Sequence, residues 1–387
     1  MLPEYRITAG FVPLTDSMLL IVAKEKGFAG SEGVDLTLIK ESSWANIRDR
    51  VAIGHFDVAH MLAPMPIAAT LGLTPLAVPV IAPMALVLGG NAVTVSTALW
   101  AKMKAAGAPD TLAAGPVGKA LASVVEGTER KLRFAVVHPH SGHNYELRYW
   151  LAASGIDPDR KVEIVVLPPP LMPDALATGG IDGFCVGEPW NSIAIAAGRG
   201  RIATVKAAIW PRSPEKVLGV TEAWAVYNPD ALSALLRALY LAAEWCGQPA
   251  NHAEAAGLLA QSAYLDAPAE LLRTALSGKL DLGGGQTEQI AEFFIPHAHA
   301  ATFPAAWQAL WFYSQMVRWG DVAHTPENAS LAHGTFRPDL YRKALGGIAP
   351  ALPTLDKPGI QTGPFFDGIA FDSQNLDHYI ASQRPYA

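Results

Sequence analysis

Two cysteines in 387 residues, Cys185 and Cys246, exclude a disulfide framework and fit a reducing compartment. Charge is also scarce. Only 17% of the chain is Asp, Glu, Lys or Arg, and residues 58–101 contain none of the four. The formal charge of −6, from 29 basic and 35 acidic residues, leaves no basic excess for a broad nucleic-acid footprint. The first residues lack the basic region, apolar run and small-residue cleavage site of a secretory leader, and they offer no cysteine for a lipid anchor. Met1 lies directly before residues 5–10, which read as a first strand, so the expected compartment is the cytoplasm. An export signal removed from the sequence is the alternative.

Half of the residues are hydrophobic, and the length suffices for two domains with large cores. Within the charge-free stretch, residues 67–88 are mostly apolar over a membrane-spanning length. Pro64, Pro66, Pro75, Pro79 and Pro83 cut it into runs too short for one continuous helix. Buried strands and short helices of a soluble α/β core are expected there instead.

Strand and helix patterns alternate along the first half. Strands are expected at 5–10, 34–39, 57–60, 91–95, 133–137, 162–167 and 183–186. Helices are expected at 16–26, 44–53, from Pro64 or Pro66, and at 97–105, 117–129, 145–153, 173–178 and 189–197. This rhythm predicts parallel sheets with helices on both faces, arranged as two hinged lobes with a ligand between them. Beyond Pro229 long helical segments follow at 231–246, 252–262, 268–276 and 305–319. The proline-bearing tail, 349–387, is expected to run extended over the surface.

One strand pattern ends abruptly at Glu188-Pro189-Trp190. A charge, a helix-starting proline and an aromatic at the carboxyl end of a strand mark the usual position of a crevice in α/β folds. The same segment admits an enzymatic reading, because Gly183-Phe184-Cys185-Val186-Gly187 resembles a nucleophile elbow with Cys185 as the nucleophile and His297 or His299 as a later base. Pro189 stands where the elbow helix would run and no oxyanion segment precedes it, so an inert core cysteine is expected. His138-Pro139-His140-Ser141-Gly142-His143 matches neither structural-zinc spacing nor a His-Glu-x-x-His helix, so no metal is assigned. Leu282-Gly283-Gly284-Gly285-Gln286 lacks the Lys-Ser/Thr of a phosphate loop and reads as a turn.

A set of landmarks in fixed order resembles the nitrate- and bicarbonate-binding proteins of ABC importers. They include Gly10-Phe11-Val12-Pro13-Leu14-Thr15-Asp16, Ala23-Lys24-Glu25-Lys26-Gly27-Phe28, Ser43-Trp44, Arg48-Asp49 and Ala63-Pro64-Met65-Pro66. Further along come Arg148-Tyr149-Trp150-Leu151-Ala152-Ala153, Gly155-Ile156-Asp157-Pro158-Asp159, Pro168-Pro169-Pro170, Phe184-Cys185-Val186-Gly187-Glu188-Pro189-Trp190-Asn191 and Pro214-Glu215-Lys216. The resemblance implies a periplasmic-binding-protein type II-like C-clamp of two α/β lobes with extra C-terminal helices. On that pattern lobe I comprises 1–92 plus 208–387 and lobe II comprises 93–207.

Carried over by motif, the family's anion pocket falls on Trp44, His143, Lys216 and Asn91, the last where the family commonly has glutamine, with Glu188 as a cleft carboxylate. Nitrate is planar, monovalent and only accepts hydrogen bonds, so such a pocket needs donors and a positive charge. Lys216 is expected to supply the charge, and Trp44, His143 and Asn91 the donors. Four heavy atoms at a ceiling of about −1.5 kcal/mol each give about −6 kcal/mol, short of the roughly −8.2 kcal/mol of micromolar binding. The lobes must therefore close over the ligand. Each residue also has a structural role open to it: Trp44 in the core, Lys216 at the surface, His143 in a loop, Asn91 in a turn, Glu188 as a helix-start charge.

Without an export signal the resemblance leads to the cytoplasmic, NasS-type nitrate and nitrite sensors of this family. These hold a NasT-like ANTAR antiterminator and release it on binding ligand, which places nucleic-acid contact with the partner. No catalysis, cofactor or membrane contact is expected. An exported binding protein for nitrate or bicarbonate is the alternative.

Overall fold

Strands and helices alternate through the first two hundred residues much as the spacing predicts. The computed structural model describes residues 4–348 and 364–383. Its first four strands are β1 (Tyr5–Phe11), β2 (Val34–Lys40), β3 (Val58–Leu62) and β4 (Val80–Gly89). Next come β5 (Asn91–Ser96), β6 (Leu132–Val136), β7 (Val162–Val166), β8 (Gly183–Gly187) and β9 (Gly200–Val205). The last are β10 (Pro214–Thr221), β11 (Lys279–Gly283), β12 (Gln286–Gln289) and β13 (Phe294–Ile295).

They build two α/β lobes. One sheet has the order β13-β4-β10-β3-β1-β2 and the other β7-β6-β8-β5-β9. The expectation of parallel sheets is corrected: both are mixed. β1 pairs parallel with β2 and β3, and β6 with β7 and β8. β10, however, runs antiparallel to β3 and β4, and β5 antiparallel to β8 and β9. The reason lies in the connections. A parallel neighbour requires a crossover of a dozen or more residues, whereas β4 passes into β5 through Gly90 alone and so leaves one lobe for the other. Gly89 and Gly90 hold φ of +74° and +88°, in the left-handed region that favours glycine. A Cβ on Gly89 would also sit 2.4 Å from the Phe293 carbonyl oxygen.

The charge-free stretch supplies β3, the helix Pro64–Thr70, β4 and β5, and all ten residues of β4 are buried. An unpaired charge there would be desolvated, which explains its absence. Among the described residues no helix is long and apolar enough to cross a membrane. The helices Pro229–Cys246, His252–Leu259, Ala269–Ser277 and Ala306–Arg318 occupy the predicted places, and the glycine-rich segment forms the β11–β12 turn. Much of the tail, 349–363 and 384–387, lies outside the described residues. Residues 364–383 depart from an extended path: they contain the helix Leu376–Ser382 and bury Phe365, Phe371 and Tyr379.

A buried charged cluster between the lobes

β10 delivers two adjacent charged residues, Glu215 and Lys216, to the interior where the lobes meet. Neighbours on a regular strand face opposite sides of the sheet. Here both join one cluster, because the register against β4 shifts between Pro214 and Lys216 and again between Lys216 and Val217. Lys216 Nζ donates to Asp16 Oδ2 at 2.7 Å and to Glu215 Oε1 at 2.6 Å. Asp16 lies in the turn Thr15–Ser17 after β1, and His60 on β3 places Nε2 2.9 Å from Asp16 Oδ1. Trp44 opens the helix Trp44–Ala52, where Ser43 Oγ accepts from the Asn46 amide in an N-cap. The Trp44 ring centroid is 5.6 Å from Lys216 Nζ and 5.1 Å from the His60 ring.

The second lobe completes the cluster. Asn91 opens β5, a strand of the second sheet although the expected lobe boundary fell after residue 92, and donates Nδ2 to Glu215 Oε2 at 2.6 Å. Ser141 Oγ accepts from the Asn144 amide at 3.0 Å and caps the helix Gly142–Ala153, which carries His143 and Glu146. His143 Nε2 is 3.4 Å from Glu215 Oε1. Lys206 follows β9 and reaches Glu146 Oε1 at 2.9 Å, the Pro214 carbonyl at 2.7 Å, and Glu215 Oε2. Glu215 thereby gathers Asn91, His143 and Lys206 of one lobe onto a strand of the other. Two glycines leave room for this. A Cβ on Gly142 would lie 2.9 Å from Glu215 Oε2, and one on Gly187 would lie 3.2 Å from both Asn91 Oδ1 and Asp16 Oδ2.

Burial sets the proton affinities and the ion pairs modify them. At Asp16 burial pushes the carboxyl up, but Lys216 and His60 outweigh it and hold it below its ordinary value. At Glu215 burial acts the same way, and Lys206, Lys216 and His143 together hold it far below the carboxylate range. At Glu146 burial, reinforced by the Glu215 carboxylate, outweighs Lys206 in contact and Lys216 farther off, and its pKa rises to about 8. Burial also depresses His143 to about 3 and lowers His60, so both rings are neutral at pH 7. Several buried polar atoms have no hydrogen-bond partner among the described residues: Trp44 Nε1, both ring nitrogens of His143, His60 Nδ1 and Asn91 Oδ1.

Of the sequence-predicted residues, Trp44, Asn91, His143 and Lys216 converge. Glu188 stands apart. Its backbone carbonyl accepts from the Thr15 amide at 2.8 Å and helps join the lobes, while its carboxyl accepts from Ser192 N at 3.1 Å. Burial raises that carboxyl to about 7. A surface groove lined by Ser192, Glu270, Arg273, Lys279 and Asp281 contains none of the cluster residues.

Residues 2–260 match the model of the NMT1-like family. The nitrate/nitrite binding protein NrtA of Synechococcus elongatus is 34% identical over 392 residues, covering 98% of this chain and 86% of NrtA. The chain belongs to the NMT1-like family, in its NrtA/CmpA-like group of substrate-binding proteins. The bicarbonate-binding protein CmpA of the same organism is 30% identical over 397 residues, covering 97% of this chain and 86% of CmpA. The crystal structure of the periplasmic nitrate-binding protein NrtA from Synechocystis PCC 6803 superposes with a TM-score of 0.90 at 30% identity, covering 99% of this chain and 100% of that one. The family likeness thus extends past residue 275, where the sequence landmarks thin out.

Within this family fold the expected charge of Lys216 is already shared between two carboxylates, and one amide hydrogen of Asn91 is spent on Glu215. Asp16 and Glu215 sit inside sequence motifs that gave them no role, and sequence reasoning missed His60, Glu146 and Lys206. A lone histidine in an apolar strand or a lysine after one carries no signal until the fold supplies its partner. Cys185 is paired with Val93 inside β8, and burial, followed by Glu146 and Glu215, holds its thiol well above the usual range. His297 packs on Tyr240 and His299 pairs with Glu292 at 2.6 Å, so both proposed bases are engaged elsewhere. His140 Nδ1 lies 3.0 Å from the Tyr145 hydroxyl, on a different path from His143.

Proposed function

We propose that this protein is a cytoplasmic sensor that binds nitrate or nitrite between its lobes and answers by changing shape, without catalysis. The ligand assignment is carried by two buried donors without a hydrogen-bond partner among the described residues, Trp44 Nε1 and the one N–H of the neutral His143 ring, in the cluster that holds Lys216. A buried donor left unsatisfied costs about 1–3 kcal/mol, and a small oxyanion, which only accepts hydrogen bonds, would satisfy these. Asn91 contributes its second amide hydrogen. Glu188 shapes the joint between the lobes. The curated relatives named for nitrate and nitrite binding support the same ligand class.

Because groups from both lobes meet on Glu215, an anion bound among them stabilises the closed clamp. In this reading the open clamp holds a NasT-like ANTAR antiterminator, and nitrate and partner oppose one another by one coupling free energy. RNA contact belongs to the partner, consistent with the acidic balance of this chain. Titrating nitrate into a complex of the two proteins is expected to dissociate it. Partner affinity that stays constant at saturating nitrate overturns the sensor role.

A second reading, the solute-binding component of an ABC importer for nitrate or bicarbonate, is favoured by the likeness to a periplasmic nitrate-binding protein over the whole chain. Calorimetry with nitrate, nitrite and bicarbonate identifies the ligand under either reading. Reconstitution with an adjacent permease, or with an ANTAR protein, separates the two outputs.

A further inference from the structure

The cluster holds more acid than base. Lys206 and Lys216 are its two ammonium groups, and they face three carboxyls, Asp16, Glu146 and Glu215, so the fully ionised set carries one net negative charge before any ligand arrives. All five side chains are buried, so bulk solvent screens them little. A monovalent anion added to that set would leave two uncompensated negative charges in the interior. The carboxyls are not equally compensated. Asp16 has Lys216 and His60, and Glu215 has both lysines with Asn91 and His143. Glu146 has one ammonium in contact among the described residues, Lys206 at 2.9 Å, which it shares with Glu215, while Lys216 acts on it only from farther off.

We propose that an anion is held in this cluster only while Glu146 is protonated, so that where the free protein has Glu146 ionised the site takes up the anion and one proton together. The balance is simple: the anion brings one negative charge, a solvent proton joins a Glu146 carboxylate oxygen, and the net charge of the cluster is unchanged. The groups facing Glu146 are Lys206 from the segment after β9, Glu215 and Lys216 from β10, Cys185 from β8, and His143 on its own helix. None competes as the proton's seat near neutrality. Lys206 is held charged by Glu146 and Glu215, Cys185 is held protonated by burial, and His143 is kept neutral by burial. The raised proton affinity of Glu146 agrees with this geometry and sets the window near pH 8.

This inference rests on the anion site proposed above, and one experiment separates the two. Potassium nitrate, which has no titrating proton in the range, is titrated calorimetrically into the full chain from pH 6.5 to 9.5 in buffers of different ionisation heat. Below about pH 7.5 the dissociation constant is expected to be flat. Above pH 8 it rises toward tenfold per pH unit, with proton uptake approaching one per nitrate. The neutral isostere Glu146→Gln, checked for folding by circular dichroism, is expected to bind nitrate with no such slope and no proton uptake. A flat wild-type profile through pH 9.5, or a wild-type slope retained in Glu146→Gln, overturns the coupling. Nitrate that binds at no pH overturns the anion site itself, and the coupling with it. If Glu146→Gln does not fold, the wild-type slope and proton count decide alone.

Discussion

Within eleven residues, 206–216, the chain feeds two buried clusters of opposite character. Lys206, Glu215 and Lys216 enter the charged cluster, while Trp210 stacks on Phe365 at 4.7 Å and packs at a tilt against Trp311 at 4.5 Å. Trp307 and Tyr149 complete the aromatic block, which joins the second lobe, the crossing segment and the C-terminal helices. Both regions hold the lobes together, but by different physics. Aromatic contacts are indifferent to pH and to anions, whereas each member of the charged cluster leaves an uncompensated charge when its partner changes. Permanence and responsiveness are thus assigned to separate side chains of one short segment.

The largest effect is expected from Lys216→Ala. Its removal leaves the buried Asp16 facing the neutral His60 ring and Glu215 with one of its two lysines, at a cost of about 3–5 kcal/mol in unfolding free energy at pH 7. Urea denaturation measures this, and the deficit is expected to shrink toward pH 4 as those carboxyls protonate. Nitrate binding is expected to be lost. A variant as stable as wild type that still binds nitrate would refute the role assigned to the charged cluster.

Trp311→Ala tests the other side of the comparison. Truncating this buried ring costs about 3–5 kcal/mol, yet the deficit is expected to be equal at pH 5 and pH 8. Nitrate affinity of the folded variant is expected to stay within about twofold. A pH-dependent deficit would show that the two clusters are coupled.

Solution pH alone is the third probe. Glu146 and Glu188 have folded pKa values of about 8 and about 7, above the ordinary value of 4.5. Their protonated forms therefore stabilise the fold fully below pH 4.5, and that contribution is lost as pH rises toward 7 and 8. Each contributes a slope on the order of 1.4 kcal/mol per pH unit at most. Asp16 and Glu215 have lowered values, so their contribution is present above the ordinary carboxyl range and lost only in acid. Unfolding free energy is expected to decline between pH 5 and 8, with Glu188→Gln removing part of the slope.

Legibility in the sequence follows the same division. Alternating patterns located most strands and helices through residue 197 because burial imposes a local period. β10 was missed, since a bulged antiparallel strand that returns from the other lobe has no such period, and with it went the reason that Glu215 and Lys216 share one side. Motif order placed Trp44, His143, Asn91 and Lys216, which converge in the structure. Their counter-charges did not emerge, because Asp16, Glu146 and Lys206 are joined only by the folded path. The chain shows where a charge is permitted, but not which charge faces it.

The smallest effect concerns Cys185, and it measures how far the charged cluster reaches. This thiol lies inside β8, where burial raises its pKa most and the nearby Glu146 and Glu215 carboxyls raise it further. Negative charge and desolvation both oppose a thiolate, which is the form that reacts. Iodoacetamide is therefore expected to label Cys185 in native protein far more slowly than in urea, where the thiol regains an ordinary pKa. Glu146→Gln removes one of the two acids but leaves the thiol just as buried, so native labelling is expected to accelerate only slightly. Rapid native labelling would return the strand-end segment 183–187 to consideration as a reactive site, and would mean that the two lobes open far enough to hydrate the whole charged cluster.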